Sequence, residues 1–513
     1  MLFNSFPFLF AFLPITFLLF WYAGHSLRWR LSLLTVASYF FYSWWQFDSW
    51  SDFVSSLNIR DLHDLGNSLW RWRFTIIMVL TSSIDYWAAK RIVWAPIDAK
   101  LRRGILLALS LTANLGLLGF FKYFGFFSHI ADDLSRFLGG GRLSVFSLIL
   151  PVGISFYTFE SISYVIDIYR GVAKPAKSYL DYACFISFFP HLVAGPIIRY
   201  SDILHQFRDV QWVRRGPDWG QIDLGILFFT IGMAKKLIIA DALAVRINPL
   251  WDAFSANVPL GVVGSWAAVL GYTFRIYFDF SGYSDMAIGL GHIFGVRLPQ
   301  NFNSPYKASD PIDFWRRWHM SLSSWLRDYL YIPLGGNRNG KQYRNLMITM
   351  LLGGLWHGAA WLFVIWGAWH GLLLVVFHAA RNLGILPNKV GPTGYWIGRT
   401  VTFLLVVVGW VFFRAADVKA GAYGPTSVMP AFRMLAQMAG SAGFWPPHST
   451  APVTAALMGL IVTCWAWCNF APNSNEVVYN LRARNWHAAL AGATMAICLF
   501  EVGSGADFLY FRF

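Results

Sequence analysis

Two histidines, thirty-eight residues apart and each set among tryptophans, are the residues best suited to chemistry in this sequence. His319 lies in W-R-R-W-H-M-S-L-S-S-W-L-R-D-Y-L, residues 315–330, and His357 in L-L-G-G-L-W-H-G-A-A-W, residues 351–361. A neutral imidazole, with an ordinary pKa of ~6.5, can take a proton from an attacking hydroxyl at working pH. Acyl transfer from a thioester suits that equipment with neither a metal nor a side-chain nucleophile. Wound as one helix, 315–330 places Trp315, Trp318, Leu322, Trp325 and Tyr329 in an apolar stripe. Arg316, Ser323 and Arg327 fall on a flank suited to a polar or anionic substrate, and His319 lies on the border between the two. The plainer reading is a helix anchored at the membrane interface with an incidental histidine.

His357 is thirteen residues past Arg344, the last charge before it. A continuous helix would carry it roughly 20 Å into an apolar layer. Ionisable residues at such depth are costly and mark functional sites by default. Gly353, Gly354, Gly358, Ala359 and Ala360 remove bulk around it, so a substrate or a second helix can approach. Trp356 is placed to line a substrate there. The W-H-G triplet recurs at 369–371, making His370 a rival. A third polar stretch, Y-F-D-F-S-G-Y-S-D-M-A-I-G-L-G at 277–291, holds Asp279 and Asp285. Buried carboxylates need partners, and Arg275 or the Arg316/Arg317 pair could supply them. These aspartates either contact substrate or brace helices through ion pairs.

The elements that must position these residues are membrane helices. Of 513 residues, 56% are hydrophobic and only 13% charged, against about 25% charged in ordinary soluble domains. Mean hydropathy is +0.47. Apolar runs recur near 6–23, 31–46, 74–89, 104–127, 143–168, 180–198, 222–247, 262–294, 345–361, 362–380, 398–414, 453–470 and 487–502. Some contain Gly, Pro or charges and read as re-entrant or interfacial. The expectation is an all-α polytopic membrane protein with about eleven crossings, folded as a single domain over residues 1–513. The N-terminal run has no basic region and no small-residue cleavage site, so it reads as a retained span. Arg28, Arg30 and the basic loop 90–103 place alternate loops in the cytoplasm and the N-terminus outside. Between them, loop 47–73 holds Asp48, Asp52, Asp61 and Asp64.

The net charge of +15 is explained by basic loops facing anionic lipid, and nucleic acid is not indicated. Cys184, Cys464, Cys468 and Cys498 lie in apolar runs without redox or disulfide spacing. Phosphate-binding loops, dinucleotide fingerprints, zincin motifs and nucleophile elbows are missing. No metal or bound cofactor is expected. A proton-coupled transporter, with Asp279, Asp285 and His357 as a relay, is the alternative from another class, but no half-to-half repeat supports it.

With both histidines placed, the chain resembles the membrane-bound O-acyltransferase family, and within it the bacterial alginate O-acetyltransferase group. The resemblance runs through L-P-V-G-I-S-F-Y-T-F-E (150–160), F-F-P-H-L-V-A-G-P-I (188–197), Y-F-D-F-S-G-Y-S-D-M-A-I-G (277–289), N-F-N-S-P-Y (301–306), the 313–337 stretch, G-G-L-W-H-G-A-A-W (353–361) and the closing F-L-Y-F-R-F. It implies a bacterial inner-membrane enzyme with a buried tunnel. Acetyl groups would pass from a cytoplasmic thioester, acetyl-CoA, toward an exported polysaccharide such as alginate. His357 would be the base at the reacting centre, with His319 positioning the donor at the cytoplasmic mouth. A periplasmic acetyltransferase of the SGNH type would be the partner finishing the transfer. Transfer of D-alanyl or another acyl group to a cell-envelope polymer is the alternative within the family.

Overall fold

The computed structural model describes residues 1–24, 26–47, 50–57, 62–146, 148–207, 216–387, 391–417, 426–445, 453–480, 485–503 and 508–509. Asp48, Asp61 and the last four residues of the F-L-Y-F-R-F motif lie outside them. All regular structure among the described residues is helical. Three described helices are long and apolar enough to cross a membrane: Lys100–Phe137, Trp361–Asn382 and Pro392–Ala415. Ala455–Phe470 and Ser474–Asn480, bent by 56° at their junction, make a fourth if counted as one broken span.

Local sequence sets many helix ends. Ser26 caps Leu27–Ser43 by accepting from the Trp29 amide, and Ser178 with Asp181 forms a reciprocal capping box. Asp310 caps Pro311–Arg317, with Pro311 at the first helical position. Several expected spans are shorter than their apolar runs. The 143–168 run becomes helical only at Ile154, after Gly153, whose φ of +74° begins the helix from a left-handed residue. A Cβ on Gly153 would lie 2.6 Å from the Leu192 carbonyl oxygen. The 180–198 run breaks into Tyr179–Ser187 and Phe189–Leu192, because Pro190 cannot continue a helix hydrogen-bond ladder.

The chain groups into two compact units. The first comprises 1–121, 149–229 and 286–299. Its core is aromatic: Phe189 meets Phe12 edge-on at 5.2 Å and Phe41 at 5.6 Å. Two of its buried carboxylates have close polar neighbours. Asp85 accepts from Ser110 Oγ at 2.6 Å and Asn114 Nδ2 at 2.8 Å, and Glu160 meets His191 Nδ1 at 3.0 Å.

The second unit comprises 122–148, 230–285 and 300–513 and contains both leading histidines. Its centre is a hairpin of Gln342–His357 and Trp361–Asn382. Glycine permits that contact. A Cβ on Gly354 would lie 2.3 Å from the Phe363 carbonyl oxygen, and one on Gly367 2.3 Å from that of Met350. Backbone atoms cannot retreat as a flexible side chain could, so larger residues must force the helices apart. Gly354→Val is therefore expected to cost about 1–3 kcal/mol by overpacking and to lower the thermal unfolding midpoint in detergent. Gly119→Ala is the control, since its added Cβ meets nothing within 4 Å. Equal midpoints for the two variants would refute the close-packing account.

Candidate functional site

The 315–330 stretch is not one helix. It is Pro311–Arg317, then Met320–Leu326, then a π-helical turn Arg327–Tyr331. The break falls on His319 itself, which is left-handed at φ +42° and ψ +57°. Such a conformation is strained for a residue with a Cβ and persists only where the surroundings impose it. Those surroundings centre on Asn301. Its carbonyl accepts the Met320 amide at 2.9 Å, and its Oδ1 accepts from Ser321 Oγ at 2.9 Å and lies 3.0 Å from His319 Nδ1. Its Nδ2 donates to Ser284 Oγ at 3.2 Å. With Oδ1 as acceptor, the ring proton belongs on Nδ1 and the lone pair on Nε2. His319 is 0% exposed, and burial pushes its imidazole well below the ordinary histidine range, so it is neutral. Helical spacing predicts a stripe-border position for His319; the fold buries it against Phe280 at 4.8 Å.

His357 is the last residue of Gln342–His357, at the turn of the hairpin, and 4% exposed. Glycine at 358 leaves room for the Phe363 ring, which a Cβ there would approach to 2.1 Å. The imidazole stands edge-on to Trp356 at 4.9 Å, Trp366 at 4.9 Å and Phe413 at 5.2 Å. Trp356 also reaches the His319 ring at 6.4 Å. Lys122, His319 and His370 are all near enough to act on the His357 charge. The histidines separated in sequence thus converge around one indole.

His370 shares Trp366 with His357, at 4.9 Å, and stacks on Phe314 at 5.9 Å. A Cβ on Gly409 would sit 2.8 Å from its Nε2. The candidate substrate residues on the broken helix have local partners. Ser323 Oγ donates to the Trp318 carbonyl at 3.2 Å, and Arg327 is exposed and forks onto Asp328 at 2.7 and 3.0 Å. Arg316 is exposed.

The partners of the buried aspartates differ from those expected. Arg275 donates to Asn248 at 3.1 Å, and Arg317 pairs with Asp313 at 2.8 Å. Two lysines serve the aspartates instead. Lys236 pairs with Asp279 and Asp241, each at 2.8 Å. Lys235 pairs with Asp285 at 2.6 Å, where Ser474 Oγ also donates at 2.6 Å. Both lysines belong to the π-helical segment Ala234–Ala240. Gly282, between the aspartates, makes room: its Cβ would lie 2.8 Å from the Gly232 carbonyl oxygen and 3.1 Å from the Lys236 amide. Asp279 also accepts the Leu509 amide at 2.9 Å. These contacts make the aspartates braces between helices. Asn301, Lys122, Lys235 and Lys236 were not among the residues singled out from sequence. Two adjacent lysines inside an apolar run were the available signal for the last pair.

Removing the ammonium at 236 would leave Asp241 and Asp279 buried without their counter-charge, a change worth about 3–5 kcal/mol. Lys236→Met should accordingly lower detergent-denaturation stability sharply, and adding Asp241→Asn should recover part of it. Wild-type stability in Lys236→Met would show that the triad does not brace the fold.

The sequence matches a known family and several characterised relatives. Residues 173–388, which include both histidines, match the family model described as the membrane-bound O-acyltransferase family. The chain is 43% identical over 427 residues to the probable alginate O-acetylase of Pseudomonas putida, covering 82% of this chain and 79% of that one. It is 38% identical over 456 residues to the peptidoglycan O-acetyltransferase of Helicobacter pylori, covering 82% and 78%. Similarity to the teichoic acid D-alanyltransferase of Bacillus subtilis is lower, 29% over 280 residues, covering 52% of this chain and 69% of that one.

Proposed function

Because the chain belongs to the membrane-bound O-acyltransferase family and is an acyltransferase, we propose that it moves acetyl groups from cytoplasmic acetyl-CoA across the membrane for O-acetylation of an exported polysaccharide such as alginate. The observation that carries this reading is the meeting of His319 and His357 around Trp356. Both histidines are buried among aromatic rings, where water is excluded and an acyl thioester is shielded from hydrolysis.

His357 is the base. Its imidazole takes the proton of an acceptor hydroxyl as the oxygen attacks the thioester carbonyl. A carbon–oxygen bond forms, the carbon–sulfur bond breaks, and the imidazolium returns its proton to the departing thiolate. His319, held by Asn301 with its Nε2 lone pair outward from that bond, positions the donor. Trp356 lines the approach between the histidines. Arg316, Ser323 and Arg327 lie on the segment assigned to the cytoplasmic mouth, where exposed arginines suit an anionic donor.

The protein is a membrane protein, and the proposed setting is the bacterial inner membrane with about eleven crossings, a periplasmic N-terminus and a tunnel reaching both faces. A periplasmic SGNH-type acetyltransferase would carry the acetyl group onward to the polymer. Similarity to the D-alanyltransferase covers only part of the chain, which favours acetyl over D-alanyl transfer.

His357→Ala should abolish polysaccharide acetylation while the protein still inserts at wild-type abundance, and His319→Ala should reduce it severely. Acetyl content of the exported polymer, measured beside membrane abundance, is the readout. Retained acetylation in His357→Ala would sink the mechanism. Faster labelling by D-alanyl or longer acyl thioesters than by acetyl-CoA in membrane vesicles would reassign the donor.

A further inference from the structure

Lys122 has no role in the chemistry described so far. It interrupts the apolar run L-G-F-F-K-Y-F-G-F-F in the membrane-length helix Lys100–Phe137, where a charge is costly. Its side chain is buried. The ammonium donates to the carbonyl oxygen of Trp356 and lies over that indole, 5.6 Å from the ring centre. The next residue does the same one position earlier: Tyr123 Oη donates to the Leu355 carbonyl at 2.8 Å.

These carbonyls belong to the last turn of Gln342–His357. The final carbonyls of a helix lack partners within it, and in lipid no water substitutes. A cation at a helix C-terminus also meets the negative end of its dipole. Capping alone would need no charge, as the neutral Tyr123 hydroxyl shows next door. The lysine grips the residue immediately before His357, and lies close enough to His357 to act on its charge.

We infer that Lys122 is a positioning residue for acyl transfer: its ammonium, bonded to the Trp356 carbonyl, holds the end of the helix on which His357 stands. This inference rests on the acyl-transfer reading of the site. Without that grip the last turn frays, and the imidazole loses its alignment with the reacting carbonyl. The reacting geometry suffers first and donor binding less, because the grip lies at the reacting centre and not at the donor mouth.

The test uses membrane vesicles holding the full chain, with radiolabelled acetyl-CoA as the probe and rates normalised to inserted protein. Lys122→Met should lower kcat about tenfold or more, the scale expected when a catalytic group is displaced by a fraction of an ångström to an ångström, with KM changed less than about twofold. Lys122→Arg, which keeps a cationic donor, should recover most of the lost kcat. Tyr123→Phe should cost only about threefold, as a neutral bond is lost and the cation stays. Wild-type kcat in Lys122→Met would overturn the inference. So would a loss that arginine does not recover, or one in which kcat falls only in step with thermal stability. His357→Ala is run beside them: residual transfer there overturns the acyl-transfer reading itself. Its loss together with full kcat in Lys122→Met overturns only the role of Lys122.

Discussion

A helix that ends inside a protein leaves carbonyl groups that must find partners elsewhere in the fold, and the surroundings of His357 are organised around one such end. Gln342–His357 stops at the histidine, and the chain turns through Gly358 into Trp361–Asn382. The turn works only because glycines let the two backbones nearly touch, at Gly354 against Phe363 and at Gly367 against Met350. The freed carbonyls are taken by Lys122 and Tyr123. The position of His357 thus follows from how the carbonyls freed at a buried helix end find partners elsewhere in the fold.

The second histidine is held by a different device. His319 occupies a left-handed break between two short helices, an arrangement kept by Asn301 through both its backbone and its side chain. Asn301 is tied in turn to Ser284 on the helix Gly261–Ile293. That helix is braced by Lys235 and Lys236 on either side of Gly282. A bulge at Ala234–Ala240 is where those lysines lie, in keeping with the tendency of π-helical turns to sit near functional sites. The buried charges therefore stabilise the scaffold of the site, while the histidines are surrounded by rings.

Trp356 and Trp366 link these parts. Trp356 touches both His319 and His357, and Trp366 touches both His357 and His370. Tryptophan supplies a large apolar face that excludes water and an indole edge that tolerates polar neighbours. The abundance of this residue, 26 in the chain, is partly explained by this use and partly by the interfacial positions it commonly occupies in membrane proteins.

Composition was enough to read a helical membrane protein, and His319 and His357 stood out because burial cost makes ionisable residues in apolar runs conspicuous. Family membership was legible for the same reason: the motifs around those residues are dense and specific. Helix ends were less legible. A hydropathy run records which residues tolerate lipid, and not where a backbone hydrogen-bond ladder stops, so the breaks at Phe188, His319 and Gly358 emerged only in three dimensions. Partners were the least legible. Lys236 meets Asp279, Asn301 meets His319, and Lys122 meets the Trp356 carbonyl across separations in sequence that no periodicity encodes. Residue types determined what chemistry was available; the tertiary contacts decided which groups face one another, since pairing across a fold depends on the packing of helices and not on spacing along any one of them.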